Sequence, residues 1–160
     1  MSEVDSNSKG IELLAVMEEK IAAIYASYAV ATPELDVFWE TISVEELHHA
    51  SWVRALLELY QEGKVSIVDD RFPLETLQTF QTYLDELLVN AKRGKLTPLM
   101  TLGVAMDLEG TLAESSFHQT FATDATEVGE LLIRLRRATE RHVERIENLW
   151  QQHKTFHTKS

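Results

Sequence analysis

Residues 45–50 read EELHHA, and within them Glu46 and His49 stand about one helical turn apart. A Glu-x-x-His spacing sets both side chains on one helical face, where a carboxylate oxygen and an imidazole nitrogen can reach the same metal ion. Three more residues share the pattern: Glu18, Glu109 and His142 each fall in a helical apolar stripe at a position where an aliphatic residue is expected. In the first stripe the apolar series is Ile11, Leu14, Ile21, Tyr25 and Tyr28, interrupted by Glu18. In the second it is Leu35, Phe38, Ile42, Val53, Leu56 and Tyr60, interrupted by Glu46 and His49. The third series, Leu102, Ala105, Leu112 and Ser116, contains Glu109. The fourth, Val128, Leu132, Leu135, Thr139, Ile146 and Leu149, contains His142. Each interruption lies mid-helix with aliphatic layers on both sides.

Three carboxylates and two imidazoles therefore converge at one level of one expected core. An uncompensated buried carboxylate costs several kcal/mol, and like charges add to that cost. A bound cation is the simplest compensation. The two halves also echo each other, since Glu18 precedes Glu46-x-x-His49 by nearly the interval at which Glu109 precedes Thr139-x-x-His142. A two-metal site between paired helices needs such a repeat, with one carboxylate from each of two helices and a Glu-x-x-His from each of the other two.

The elements that must position these residues are all helical. Six glycines and three prolines in 160 residues leave little room for a turn-dense β fold. The first helix is expected over about 9–31. Thr32-Pro33 marks a boundary, with threonine as cap and proline in the first helical position. The second helix runs over 33–62 and stops at Gly63. After the irregular segment GKVSIVDDRFP, the stretch LETLQTFQTYLDELLVNAKRG reads as a crossover helix closed by Gly94. Thr97-Pro98 opens the third helix, to about Ala122, and the fourth ends near Gln152. Short links within each pair and a long link between the pairs imply an all-α four-helix bundle with a helical crossover between helices two and three. One domain is expected over 8–152, with flexible termini at 1–7 and 153–160.

Composition excludes several classes. The chain has no cysteine, so disulfides, thiolate-ligated zinc and iron–sulfur centres are ruled out. A net charge of −11 argues against a nucleic-acid partner. No run of 18 or more apolar residues is present, so no membrane span is expected. The start MSEVDSNSKG lacks the basic and apolar segments of a signal peptide, and a cytoplasmic location is expected.

The segments EEKIAAIY, EELHHA, AMDLEGTLAE and ATERHVERIE together resemble the rubrerythrin family of the ferritin-like superfamily, over about residues 11–150. The resemblance implies a ferritin-like bundle holding two irons, with Glu18, Glu46, His49, Glu109 and His142 as ligands. Manganese or zinc could stand in for iron. It implies reduction of peroxide or dioxygen, or oxidation of ferrous iron, with a small-molecule oxidant as partner and assembly as a homodimer. The family's rubredoxin-like domain is missing, so electrons would come from a separate donor protein. Thr139 stands where the family has a second bridging glutamate, and Glu140 lies about 100° around the helix, on a charged face. That departure leaves two alternatives: a metal-binding or iron-handling bundle with little turnover, and a structural bundle that has lost its metal.

Among the neighbours, Glu19, Glu45 and His48 read as surface residues, and Glu114 as surface or supporting the ligands. Tyr25 reads as a core tyrosine able to hydrogen-bond a ligand. Gly110 suggests close packing beside Glu109. Trp39, Trp52 and Trp150 read as packing or interface residues, and no partner is evident for His118, His153 and His157.

Overall fold

The computed structural model describes residues 3–68, 74–115 and 120–158. Among them are five α-helices: α1 Glu3–Ala31, α2 Asp36–Gln61, α3 Leu74–Arg93, α4 Pro98–Ser115 and α5 Thr126–Thr158. The described residues are thus helical apart from short turns and two short strands. None of these helices is long and apolar enough to cross a membrane.

α1 and α2 form the first pair. They run antiparallel, since Ser43 Oγ donates to the Ala22 carbonyl and Arg54 reaches back to Glu12 and Glu19. The crossover helix α3 lies along α1, anchored where Gln81 Nε2 donates to the Leu13 carbonyl at 2.8 Å. α4 packs on α5 as the second pair, and α5 also touches α2. Every aliphatic member of the α1 stripe is buried, as are Ile42, Val53 and Leu56 of α2, Leu102 and Ala105 of α4, and Val128 and Ile146 of α5. Trp39 is fully buried and packs against Tyr25, Tyr28 and Phe38, with ring centroids about 5 Å away in each case. That cluster fills the core beneath the polar level.

The helix ends show which local signals act. At Gly63 the backbone takes φ 79, a left-handed conformation that favours glycine. There Gly63 N–H donates to the Tyr60 carbonyl and Lys64 N–H to the Leu59 carbonyl, closing α2 as expected. Thr97 caps α4 through its hydroxyl, which accepts from Met100 N–H at 3.2 Å. Thr32 behaves differently. Its hydroxyl donates to the Tyr28 carbonyl of the preceding helix, and Pro33–Leu35 form a single 3-10 turn before α2 begins at Asp36. The threonine is buried, so its hydroxyl satisfies the end of α1 instead of starting α2.

The third expected helix, drawn to Ala122, is also corrected. α4 is described only to Ser115, and Phe121–Ala122 form a strand, β2, antiparallel to β1 at Ser66–Ile67. The β-branched run around Val65 and Ile67 offers free backbone groups, and Thr123 Oγ donates to the Lys64 carbonyl beside it. Val65, Ile67 and Phe121 are buried, so this clip fastens the crossover over the core. α1 begins before Lys9 and α5 extends past Gln152. Ser116, His118 and the side chains of Glu114 and His157 lie outside the described residues.

Candidate metal centre

All five residues singled out by spacing are buried at the same level. Glu18 is 8% exposed, Glu46 1%, His49 4%, Glu109 1% and His142 2%. α2 places Glu46 at the centre. Its Oε1 lies 2.7 Å from His142 Nδ1, and its Oε2 lies 3.3 Å from His49 Nδ1. His142 Nδ1 is also 3.7 Å from Glu109 Oε1, and the same Glu109 oxygen accepts a 2.8 Å hydrogen bond from the Tyr25 hydroxyl. The two imidazoles stack with centroids 4.8 Å apart. One ligand atom each from Glu46, His49 and His142 lies within 4.8 Å of the others. Glu18 and Glu109 flank this trio without belonging to it.

The electrostatics follow from burial and from one another. Burial, then the Glu46 charge, pushes Glu18 well above the ordinary carboxylate range. Burial and the Glu46 charge raise Glu109 to about 8, against the pull of His142. Burial would also raise Glu46, but hydrogen bonds with Glu18, His142 and His49 outweigh it and hold Glu46 well below the usual range. For His142, burial lowers the pKa. Hydrogen bonds and charges from Glu109 and Glu46 overcome that and lift it to about 10. The cluster therefore favours an ionised Glu46 facing a protonated His142, and favours the protonated forms of Glu18 and Glu109. The protons satisfy in part what a cation would satisfy fully.

Glu18 Oε2 is buried with no hydrogen-bond partner, and Glu46 Oε2, also buried, has only the His49 ring 3.3 Å away, a long and poorly directed contact. Orphaned carboxylate oxygens of this kind are uncommon in native cores. They fit a divalent cation. Donors bound to one ion at ~2.0–2.2 Å in tetrahedral geometry stand about 3.3–3.6 Å apart, so the trio, whose ligand atoms lie within 4.8 Å of one another, would draw inward to share one ion. Mixed carboxylate and imidazole donors suit iron, manganese or zinc.

Thr139 faces the interior but offers no ligand. Its hydroxyl donates to the Leu135 carbonyl of its own helix at 3.2 Å. In front of it lies a cavity of about 70 Å³, walled by Leu14, Val53, Leu56 and Leu132 and reaching Glu18. Glu140 is exposed and sits 3.8 Å from Arg136, as its position around the helix requires.

Three neighbours take roles that differ from or add to their sequence readings. Glu45 is only partly a surface residue, for Arg145 grips both its oxygens at 2.8 and 2.9 Å and it stands 3.9 Å from His142 Nε2. The signal was a glutamate directly preceding Glu46, but its partner lies a hundred residues on. Trp52, read as a packing or interface residue, lies against His49 with ring centroids 5.4 Å apart and the planes tilted by 31°, one turn further along α2. Gly110 was expected to permit a close approach, yet a Cβ there would meet nothing within 4 Å. His48 is on the surface as expected, and Glu19, like Glu45, is half-buried and ion-paired, in its case with Arg54.

Comparison with protein-family models, with curated proteins and with solved structures yielded no match to this chain.

Proposed function

We propose that this chain is a non-haem metal protein of rubrerythrin type, a ferritin-like bundle that binds iron or manganese between its helix pairs. The observation carrying this reading is the buried trio Glu46, His49 and His142, with orphaned carboxylate oxygens on Glu46 and Glu18. Glu46 would bridge, Glu18 and His49 would hold one ion, and Glu109 with His142 the other. A bound iron supplies one-electron redox chemistry and Lewis acidity toward peroxide or dioxygen.

The chain's own groups prepare the site for that chemistry. Tyr25 fixes the Glu109 carboxylate through its 2.8 Å hydrogen bond. Glu45, clamped by Arg145, sets a negative charge opposite His142 Nε2, which favours the imidazole orientation with Nδ1 turned inward. Leu14, Ile21, Ile42, Val53, Leu102 and Ile146 keep bulk water from the carboxylates. Metal binding must displace the proton of His142 and those of Glu18 and Glu109, so affinity rises with pH.

A second reading, a single-ion binding site with little turnover, is favoured by Thr139, whose hydroxyl is spent on its own helix. The separating experiment loads the protein anaerobically with ferrous iron, adds hydrogen peroxide and follows the optical spectrum. Oxidation of two irons per chain at a rate well above that of free iron supports the first reading. Binding of one iron with oxidation no faster than in solution supports the second. Failure to bind iron in a folded protein refutes both.

A further inference from the structure

Apart from Arg93 at the exposed end of α3, the arginines of the described residues divide into two groups. Arg54 is paired with Glu12 and Glu19, Arg136 with Glu140, and Arg145 with Glu45. Arg134, Arg137 and Arg141 form no ion pair among the described residues, although the protein carries a net charge of −11. In so acidic a chain, unneutralised guanidinium groups would be expected to find carboxylates. These three instead follow one another along α5 and line a single open groove of about 560 Å³, with Trp52, Ile133 and Glu130 as its other walls. That volume falls in the range of small-molecule sites, ~300–1,000 Å³.

The lining defines the ligand. Arg134 to Arg141 spans roughly 10 Å along the helix axis at ~1.5 Å per residue. A single oxyanion is too short to engage all three guanidinium groups, each of which favours bidentate contact with phosphate or carboxylate. Arg134 is already partly committed, its Cζ standing 5.7 Å from the Trp52 ring centroid. Arg137 and Arg141 are left as the principal anion donors. Ile133 is 43% exposed and supplies apolar contact, while Glu130 repels negative charge from one end. The ligand must therefore place its charges toward Arg137 and Arg141 and an uncharged body beside Ile133 and Trp52. Trp52 and Arg141 also line the adjoining cavity of about 200 Å³ that reaches His49 and His142, so the groove opens toward the buried cluster.

We propose that the groove formed by Arg134, Arg137, Arg141, Trp52 and Ile133 binds a small organic polyanion, a molecule bearing two or more phosphate or carboxylate groups. The site is independent of whether a metal occupies the core. The test is isothermal titration of the full chain at low ionic strength with pyrophosphate, citrate and ADP. Pyrophosphate against citrate distinguishes phosphate from carboxylate, and ADP against pyrophosphate measures what the uncharged body adds. At least one of the three should bind saturably. Its affinity should fall about tenfold or more in Arg137→Gln/Arg141→Gln, which removes two charge-assisted contacts. It should be retained in Lys92→Gln/Arg93→Gln, an equal change of charge at the exposed end of α3. Absence of saturable binding by all three anions to folded wild-type protein overturns the proposal. Binding that survives unchanged in the double arginine variant also overturns it, because capture of a core metal by these chelating anions would be indifferent to the groove.

Discussion

Substituting Glu46 by glutamine should expose how the core is held together without metal. In the metal-free protein Glu46 Oε1 accepts from His142 Nδ1 at 2.7 Å, both groups being at least 98% buried, and this contact helps lift His142 from 6.5 to about 10. A shift of that size corresponds to about 5 kcal/mol of differential interaction, at ~1.4 kcal/mol per pH unit. Glu109 shares in it, and breaking one partner of a buried pair costs about 3–5 kcal/mol. Glu46→Gln keeps the shape and leaves an acceptor, so a loss of about 3 kcal/mol at pH 6 is expected. The pH dependence gives the sharper test. Because the folded pKa of His142 lies above its unfolded value, its stabilisation is complete below pH 6.5 and is lost as pH rises toward 10. Glu109, raised from 4.5 to about 8, acts in the same direction over that lower window. Together these two groups should cost wild-type metal-free protein up to ~2–3 kcal/mol per pH unit between pH 6.5 and 8, where both are protonated only in the folded state, and Glu18, raised in the same direction, adds to that loss. Glu46→Gln should show a shallower slope there, with the part of the Glu109 shift that comes from burial remaining. Urea denaturation at pH 6, 7 and 8 after chelator dialysis measures both. Wild-type stability that is flat or rising across that window, or an unchanged slope in the variant, would refute this reasoning.

Other outcomes follow from the same geometry. Gly110→Ala should stabilise the protein by about 0.5–1 kcal/mol, since the added methyl meets open space in a helix, giving a rise of roughly 1–4 °C in thermal midpoint. Tyr25→Phe should cost about 1–3 kcal/mol by leaving Glu109 Oε1 without its hydroxyl donor, detectable by urea denaturation at pH 7. Thr139→Glu should place a carboxylate in the cavity that reaches Glu18 and raise the metal content per chain without loss of helicity, as read by elemental analysis and circular dichroism.

The buried level was legible because helical periodicity decides which residues face inward, whatever their chemistry. Glu18, Glu46, His49, Glu109 and His142 fall on the apolar stripes, and the structure buries all five. What the stripes could not give was distance between helices. Nothing in the spacing shows that Glu46, His49 and His142 approach one another more closely than Glu18 does, or that Glu45 reaches Arg145 across α5. The clip of Ile67 to Phe121 escaped for a related reason, since strand pairing joins segments far apart in the chain and the Thr- and Phe-containing turn has no period of its own. Thr32 shows the limit of local rules. The same threonine–proline signal that caps α4 at Thr97 fails at Thr32, where burial turns the hydroxyl back onto the Tyr28 carbonyl.

The central claim is that Glu46, His49 and His142 form a metal centre. It is tested most directly by elemental analysis of protein expressed with added iron and purified without chelators, beside Glu46→Ala/His49→Ala treated identically. One to two equivalents of iron or manganese per wild-type chain, absent from a folded double variant, is the predicted result. Wild-type protein that is folded and metal-free, or a double variant that retains the same metal, would contradict it.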